Sequence, residues 1–293
     1  MIRIILLVLH CWILLAMPAY AQADSTSLLY EISGGALKKS SYVFGTIHLR
    51  DKRVFQLSDS TWYCFNASEV IAGELRFNKK EMKEAAKKEI FMPNGITLQS
   101  LLTAEEYTKV KAYAKSVLGW KVIIIDRIKP LFTSSLLSDA AVKSDMKYPL
   151  DVYLQQEGEK KKKAIVGIET IQEQMSAIDT ISLEEQAQML LDYVNNPSDS
   201  DAEVERMILL YQQGRLIDLY NMVYAELDDK TEAAMLTNRN YVMVDRMENM
   251  MLERSTFVAI GSAHLPGDKG VLHLLQEKGY KVRAVAANCI RPN

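Results

Sequence analysis

The same short pattern occurs near both ends of the chain, and it constrains the fold more than any other feature. Near the start, the apolar run Tyr42-Val43-Phe44 passes into Gly45-Thr46-Ile47-His48-Leu49. Near the end, Phe257-Val258-Ala259-Ile260 passes into Gly261-Ser262-Ala263-His264-Leu265. Short runs of β-branched and aromatic residues that stop at glycine read as buried strands, and the glycine lets the backbone turn sharply or approach a ligand closely. Each copy continues through a loop and a helical stretch into another apolar run, and such strand–helix–strand units build sheets with parallel strands. From about residue 170 to 252 almost every segment between the copies has helical periodicity. The expected fold is α/β: a central mixed sheet built from two related halves, flanked by helices, with a helical insertion over roughly 170–252. No Pro/Gly/Ser-rich linker divides the chain, so residues 22–293 read as one domain.

Glu69 to Leu75 (EVIAGEL), Ala164 to Ile168 and Lys281 to Ala286 also read as strands. Helices are expected near 59–67, over 78–90 with Asn78 as cap, and from the capping box Thr103-Ala104-Glu105-Glu106 to about Leu118. Two more run from Pro130 to about Val142 and from Asp151 to a stop at Gly158. Within the helical block the segments are 170–178, 183–194, 200–212, 215–227 and 231–252. Val122 to Ile125 is apolar and fits helix or strand. The charged run Glu159 to Lys163 reads as a solvated turn. The last helix spans 270–278.

Residues 1–23 place Arg3 ahead of an apolar run from Ile4 to Met17, then Pro18 and the small-x-small sites Ala19-Tyr20-Ala21 and Ala21-Gln22-Ala23. That is the pattern of a secretory signal peptide over residues 1–21, with cleavage near Ala21 or Ala23. The run is shorter than the roughly 20 apolar residues of a membrane span. The expected location is periplasmic or secreted, with no integral membrane span after signal removal. A net charge of −2 and a pI near 6.2 exclude a broad basic face, so nucleic acid is not an expected partner. Beyond the signal lie Cys64 and Cys289. An exported compartment permits a disulfide between them, and two separately buried thiols are the alternative.

Histidine is scarce: the chain has four, His10, His48, His264 and His273. His10 falls in the signal segment, and His273 lies inside the last helix, where a structural role is the simpler reading. His48 and His264 both sit just beyond the carboxyl end of a strand, where open α/β sheets bind ligands. Glu74, after Gly73, and Glu169, after the strand Ala164 to Ile168, are placed the same way. If those strands are neighbours, two imidazoles and two carboxylates converge. Each acid also has an ordinary reading, Glu74 as a capping or salt-bridging group and Glu169 as an acid favoured by the dipole at a helix start.

Taken together these segments resemble the TraB/GumN family, which includes the Tiki metalloproteases and has a pair of Gly-x-x-His motifs as its signature. The resemblance rests on YVFGTIHL, AGEL, LDVYL, VGIETIQEQ, Asn238-Arg239-Asn240 and FVAIGSAHLPGDKGVLHLLQEKGYKV. The family is similar in overall fold to erythromycin-esterase-like and ChaN-like proteins. The resemblance implies a metal-dependent hydrolase acting on a peptide or protein. His48, His264 and Glu74 would bind one divalent ion (Mn, Co or Zn), with Glu74 as ligand or base. It further implies Glu169 as base or supporting carboxylate, Arg239 and Asn240 as residues lining the catalytic site, and Asp151 at its edge. Two imidazoles and a carboxylate can hold one divalent ion and leave a position for water, whose pKa the metal lowers. A second carboxylate can take that water's proton, and an arginine can stabilise the developing oxyanion.

Two other readings stay open at this point. One is a metal-free, histidine-based esterase-like hydrolase. The other is a non-catalytic binder of a peptide, haem or another ligand, with the Met- and Tyr-rich block 170–252 covering the cleft.

Overall fold

Four parallel strands carry the site, and the sequences of three of them show why those three lie in the middle. The computed structural model describes residues 26–141, 145–224 and 227–287. In chain order the strands are β1 (Leu29–Ser33), β2 (Ser41–Thr46), β3 (Val70–Gly73), β4 (Ala164–Gly167), β5 (Thr256–Gly261) and β6 (Lys281–Ala284). They form one sheet in the order β4-β3-β5-β2-β1-β6. β4, β3, β5 and β2 are mutually parallel, and β1 runs antiparallel to both β2 and β6. Every residue of β2 and β3 is buried, as is β5 up to Ile260. Near-continuous apolar runs are what parallel strands covered on both faces require.

Between the strands run α1 (Asp59–Ala67), α2 (Lys79–Glu89), α3 (Leu98–Leu101), α4 (Ala104–Leu118), α5 (Pro130–Ala141) and α6 (Leu150–Lys160). After β4 come α7 (Ile171–Ile178), α8 (Leu183–Asn195), α9 (Pro197–Gln212), α10 (Leu216–Tyr224), α11 (Asp229–Glu232) and α12 (Asn238–Glu253). The last, α13 (Val271–Glu277), links β5 to β6. Alternation along the strands divides the core into two layers. Val43, Ala72, Val258 and Ile260 pack with Met243, Met247 and Met251 of α12 and with Leu275 of α13. Phe44, Ile71, Phe257 and Ala259 pack on the other face with Phe65 of α1, Leu154 of α6 and Tyr211 of α9. A third core, off the sheet, joins Leu98, Val110, Leu137 and Leu190 of α3, α4, α5 and α8.

The α/β class, the mixed sheet and the flanking helices are as expected from the sequence. The two motif-bearing units interleave, because β5 enters between β2 and β3. Strand β1 is not anticipated by the sequence reading: LYEIS is short, and its Glu31 is buried, accepting from Ser40 Oγ at 2.8 Å and Arg283 Nη2 at 2.7 Å. Residues 1–25, including the signal-like segment, and Cys289 lie outside the described residues.

Local differences have physical causes. Val122 to Ile125 belongs to a 3-10 helix, Gly119–Asp126, folded back along α4 and held there by Lys111 Nζ on the Val122 carbonyl (3.3 Å) and on Asp126 Oδ2 (2.7 Å). The expected helix over 231–252 is broken by a π-turn, Ala233–Thr237, in which the Thr237 hydroxyl bonds back to Glu232 at 2.9 Å. Proline at the first turn lets α9 begin earlier than expected, at Pro197. Thr170, not Glu169, caps α7, so Glu169 stands just ahead of the helix.

Gly158 does not stop α6, which runs on to Lys160. A Cβ at Gly158 would lie 2.8 Å from both Ile71 Cγ1 and Ile165 Cδ1, so the glycine lets α6 sit directly on β3 and β4. Alanine there gains up to about 1 kcal/mol of helix propensity, but overpacking costs about 1–3 kcal/mol. Gly158→Ala should therefore have a lower urea midpoint than the wild type; an unchanged or higher midpoint would show that the contact relaxes freely.

Candidate functional site

The two histidine turns leave the sheet side by side. β2 and β5 pair with Gly45 opposite Ile260 and Thr46 opposite Gly261. A Cβ at Gly45 would meet Cα and Cβ of Ser262 at 3.2 Å, so the first motif's glycine makes room for the second motif's turn. The Tyr211 hydroxyl donates to the Gly45 carbonyl at 2.8 Å and ties α9 to the same point. On the other side of β5, the β3–β4 pairing continues past the strands. The Ile168 amide donates to the Gly73 carbonyl at 2.9 Å, and the Glu169 amide to the Glu74 carbonyl at 2.8 Å. Glu74 and Glu169 are thereby brought together.

Arg239, from the first turn of α12, lies between these carboxylates. Its Nη2 donates to Glu74 Oε2 at 2.9 Å and to Glu169 Oε2 at 2.7 Å, and its Nε donates to Glu169 Oε1 at 3.0 Å. Its Nη1 donates to the Met235 carbonyl at 2.9 Å, so all three nitrogens are engaged. Gln174 of α7 bridges the same pair, donating to Glu74 Oε2 at 3.0 Å and Glu169 Oε2 at 3.2 Å. Glu74 Oε1 accepts from the Gly261 amide at 2.7 Å. Burial opposes ionisation of Glu74, but nearby His264, His48 and Arg239 and the Gly261 amide outweigh it and hold its pKa at about 2.

The two histidines are held differently. His264, on the 3-10 turn Ser262–His264, is buried, and its Nδ1 lies 2.6 Å from Asn240 Oδ1. Asn240 Nδ2 donates to the Lys269 carbonyl at 2.8 Å. That carbonyl can only accept, so Asn240 Oδ1 faces the ring and the proton sits on Nδ1 of the neutral imidazole. The remaining lone pair, on Nε2, faces Glu74 Oε1 at 3.8 Å. Burial lowers the His264 pKa to about 4 against the pull of Glu74. The ring is therefore neutral at pH 7, where Arg239 and the Gly261 amide keep Glu74 ionised.

The His48 side chain is 60% exposed, with Nδ1 3.2 Å from Asp151 Oδ1 on α6. That Asp151 oxygen is buried and makes no aligned hydrogen bond. The Asp151 charge raises the His48 pKa above the usual histidine value, though solvent screens the exposed ring. His273 lies on α13, 3.5 Å from Glu277, and takes no part in this arrangement.

His264, Glu74, Glu169, Arg239 and Asn240 thus form one connected network, with His48 and Asp151 at its edge. Among the described residues no three His, Cys, Asp or Glu side chains stand together as a ready-made metal cage. Gln174 is not singled out by the sequence, and Tyr211 enters there only as one of the Met- and Tyr-rich residues of the block that could cover a cleft. For Gln174 the signal was available: the Thr170–Glu173 capping box fixes where α7 starts, and Gln174 follows in its first turn.

Two consequences are measurable. His264 stays neutral when folded but takes a proton near pH 6.5 when unfolded. Stability should therefore fall as pH drops from 6.5 to about 4, by up to about 1.4 kcal/mol per pH unit. Glu74 adds a further loss between 4.5 and about 2. Urea titrations across pH should show His264→Gln flattening the upper limb and, because His264 helps hold the Glu74 pKa down, moving the lower limb to higher pH; an unaltered upper limb would contradict the assignment. Arg239→Met leaves two carboxylates, 11% and 2% exposed, without their cation. It should cost about 3–5 kcal/mol, and adding Glu169→Gln should recover part of that loss.

The sequence model of the TraB/PrgY/gumN family matches residues 28–284. Among curated proteins, the chain is similar to Metalloprotease TIKI1 of Danio rerio, at 25% identity over 91% of this chain and 64% of that protein. It is similar to Metalloprotease TIKI2 of Danio rerio at 23% identity, over 89% and 61% respectively. It is also similar to Metalloprotease TIKI1 of Homo sapiens at 22% identity, over 91% and 63%. The chain spans 64% of the first of these relatives and 61% of the second. No solved structure matches it. The family match runs from the residue before β1 to the last residue of β6 and takes in both histidine turns, Glu74, Glu169 and Arg239: the chain belongs to the TraB/PrgY/gumN family.

Proposed function

We propose that this chain is an exported metal-dependent peptidase in which His48, His264 and Glu74 hold one divalent ion. The observation that carries the reading is the His264–Glu74 pair. Asn240 fixes the tautomer that leaves Nε2 unprotonated, and that lone pair faces an ionised oxygen 3.8 Å away. Such a gap leaves room for an ion roughly 2 Å from each donor, and a histidine set by a hydrogen-bonded partner is the usual state of a metal ligand. His48, at the edge of the network with its Nδ1 on Asp151, would supply the third donor. Two nitrogens and one oxygen suit Zn, Mn or Co and do not choose among them.

When bound, the ion supplies Lewis acidity toward a scissile carbonyl and an acidified water. The chain's own residues prepare the place. Glu74 would offer the ion its Oε1, which also accepts from the Gly261 amide, while Arg239 and Gln174 hold its other oxygen. Glu169 balances Arg239, so the two carboxylates and one guanidinium leave the cluster net negative and receptive to a cation. Asn240 is a positioning residue that acts through His264. A peptide or protein substrate is proposed because the similar proteins are named metalloproteases, and export because of the N-terminal pattern.

The deciding experiment is elemental analysis of the purified protein followed by a peptide-library digest. One divalent ion per chain is expected, lost in His48→Ala/His264→Ala. Cleavage should stop on chelation and return with Zn, Mn or Co. Hydrolysis that survives exhaustive chelation would point instead to metal-free chemistry, and a metal-loaded protein that cleaves nothing would be a binder.

A further inference from the structure

A surface separate from the candidate site lies on the 3-10 helix Gly119–Asp126, which closes the off-sheet helical core. With about three residues per turn, positions i and i+3 share a face, so this segment has three rows. One row, Val122 and Ile125, turns inward, and Ile125 is fully buried. The second row is Trp120, Ile123 and Asp126, with Trp120 79% and Ile123 70% exposed. The third is Lys121, Ile124 and Arg127, an exposed apolar residue between two exposed cations. The Asp126 carboxylate is turned onto the Tyr107 hydroxyl at 2.9 Å and the Lys111 ammonium at 2.7 Å, so its charge is locally balanced. Lys115, in the last turn of α4, adds another exposed cation at the tryptophan end.

We infer that Gly119–Arg127 is a docking site for an anionic lipid surface. Trp120, Ile123 and Ile124 enter the boundary between headgroups and acyl chains, and Lys121 and Arg127 meet lipid phosphates. Tryptophan favours that boundary, and Lys and Arg lay their stems on apolar surface while their charges stay in the headgroup layer. The charge argument selects the partner, since among the described residues Lys121 and Arg127 form no ion pair, and these exposed cations on the outward rows attract an anionic bilayer. Size argues against a protein partner. Three side chains offer on the order of a few hundred Å², below the roughly 800 Å² per partner of a stable protein interface. The 3-10 helix has 8 residues, far short of a membrane span of roughly 20, so it rests on the surface. This proposal is independent of the hydrolase reading.

Brominated lipids test it directly, because bromine quenches only a tryptophan that reaches the acyl region. The full chain carrying Trp12→Phe retains Trp62 and Trp120. Trp62 packs against Phe65 and Tyr153 and supplies a constant background. With brominated phosphatidylglycerol vesicles the emission should shift to the blue and be quenched. The quench should be absent with brominated phosphatidylcholine and lost in Trp120→Phe. Lys121→Glu/Arg127→Glu should raise the lipid concentration needed by about tenfold or more. A quench that persists in Trp120→Phe, or is equal with the zwitterionic lipid, overturns the proposal. So does self-association in the absence of vesicles that Trp120→Ser/Ile123→Ser abolishes, since a second copy would then cover the patch.

Discussion

Everything at the candidate site depends on one guanidinium. Arg239 bonds to carboxylates from two different strand ends and to a carbonyl of its own helical segment, and so joins α12 to β3 and β4. Two nearly buried carboxylates would otherwise repel each other with no cation beside them. With the arginine between them Glu74 stays ionised and keeps one oxygen turned toward His264. The next residue, Asn240, uses the same helical turn to orient that histidine. A single dipeptide on α12 therefore sets the charge of one side of the site and the tautomer of the other.

The sheet supplies the rest of the convergence. Groups distant in sequence meet because β5 sits between β2 and β3, which puts the ends of three parallel strands in a row. The register of β2 on β5 then sets the two Gly-x-x-His turns against each other. The match is steric as well as topological, since a side chain at position 45 would press on Ser262, its Cβ lying 3.2 Å from Cα and Cβ of that residue.

Legibility from the sequence followed the physics of each signal. Strong local signals read well: the apolar strands β2, β3 and β5, the capping box at Thr103, and glycines next to chemistry-bearing residues. These were enough to nominate His48, Glu74, Glu169 and His264 from position alone, while Arg239 and Asn240 came through the family resemblance. Signals that depend on tertiary context did not read. Gly158 looks like a helix stop, yet it is a contact surface. LYEIS carries a buried glutamate that makes sense only beside Arg283, a partner at the far end of the chain. The order of strands is also absent from local pattern, so the interleaving of β2, β3 and β5 appears only in three dimensions. The sequence treated the two histidines as equivalents, whereas one is sealed inside the protein and the other is open to solvent.

The position of β5 also has a consequence for how the molecule comes into being. A middle strand of the sheet begins at Thr256, so during synthesis β2 and β3 exist for most of the chain's length with a gap between them. The loop closures required are long, and topologies dominated by such contacts fold slowly. A chain made only as far as Arg254 lacks the strand that joins the two flanks, so it cannot assemble the site ahead of time. On the hydrolase reading proposed above, that delay is a safeguard written into the topology: the site stays incomplete until β5, from Thr256 on, has been made.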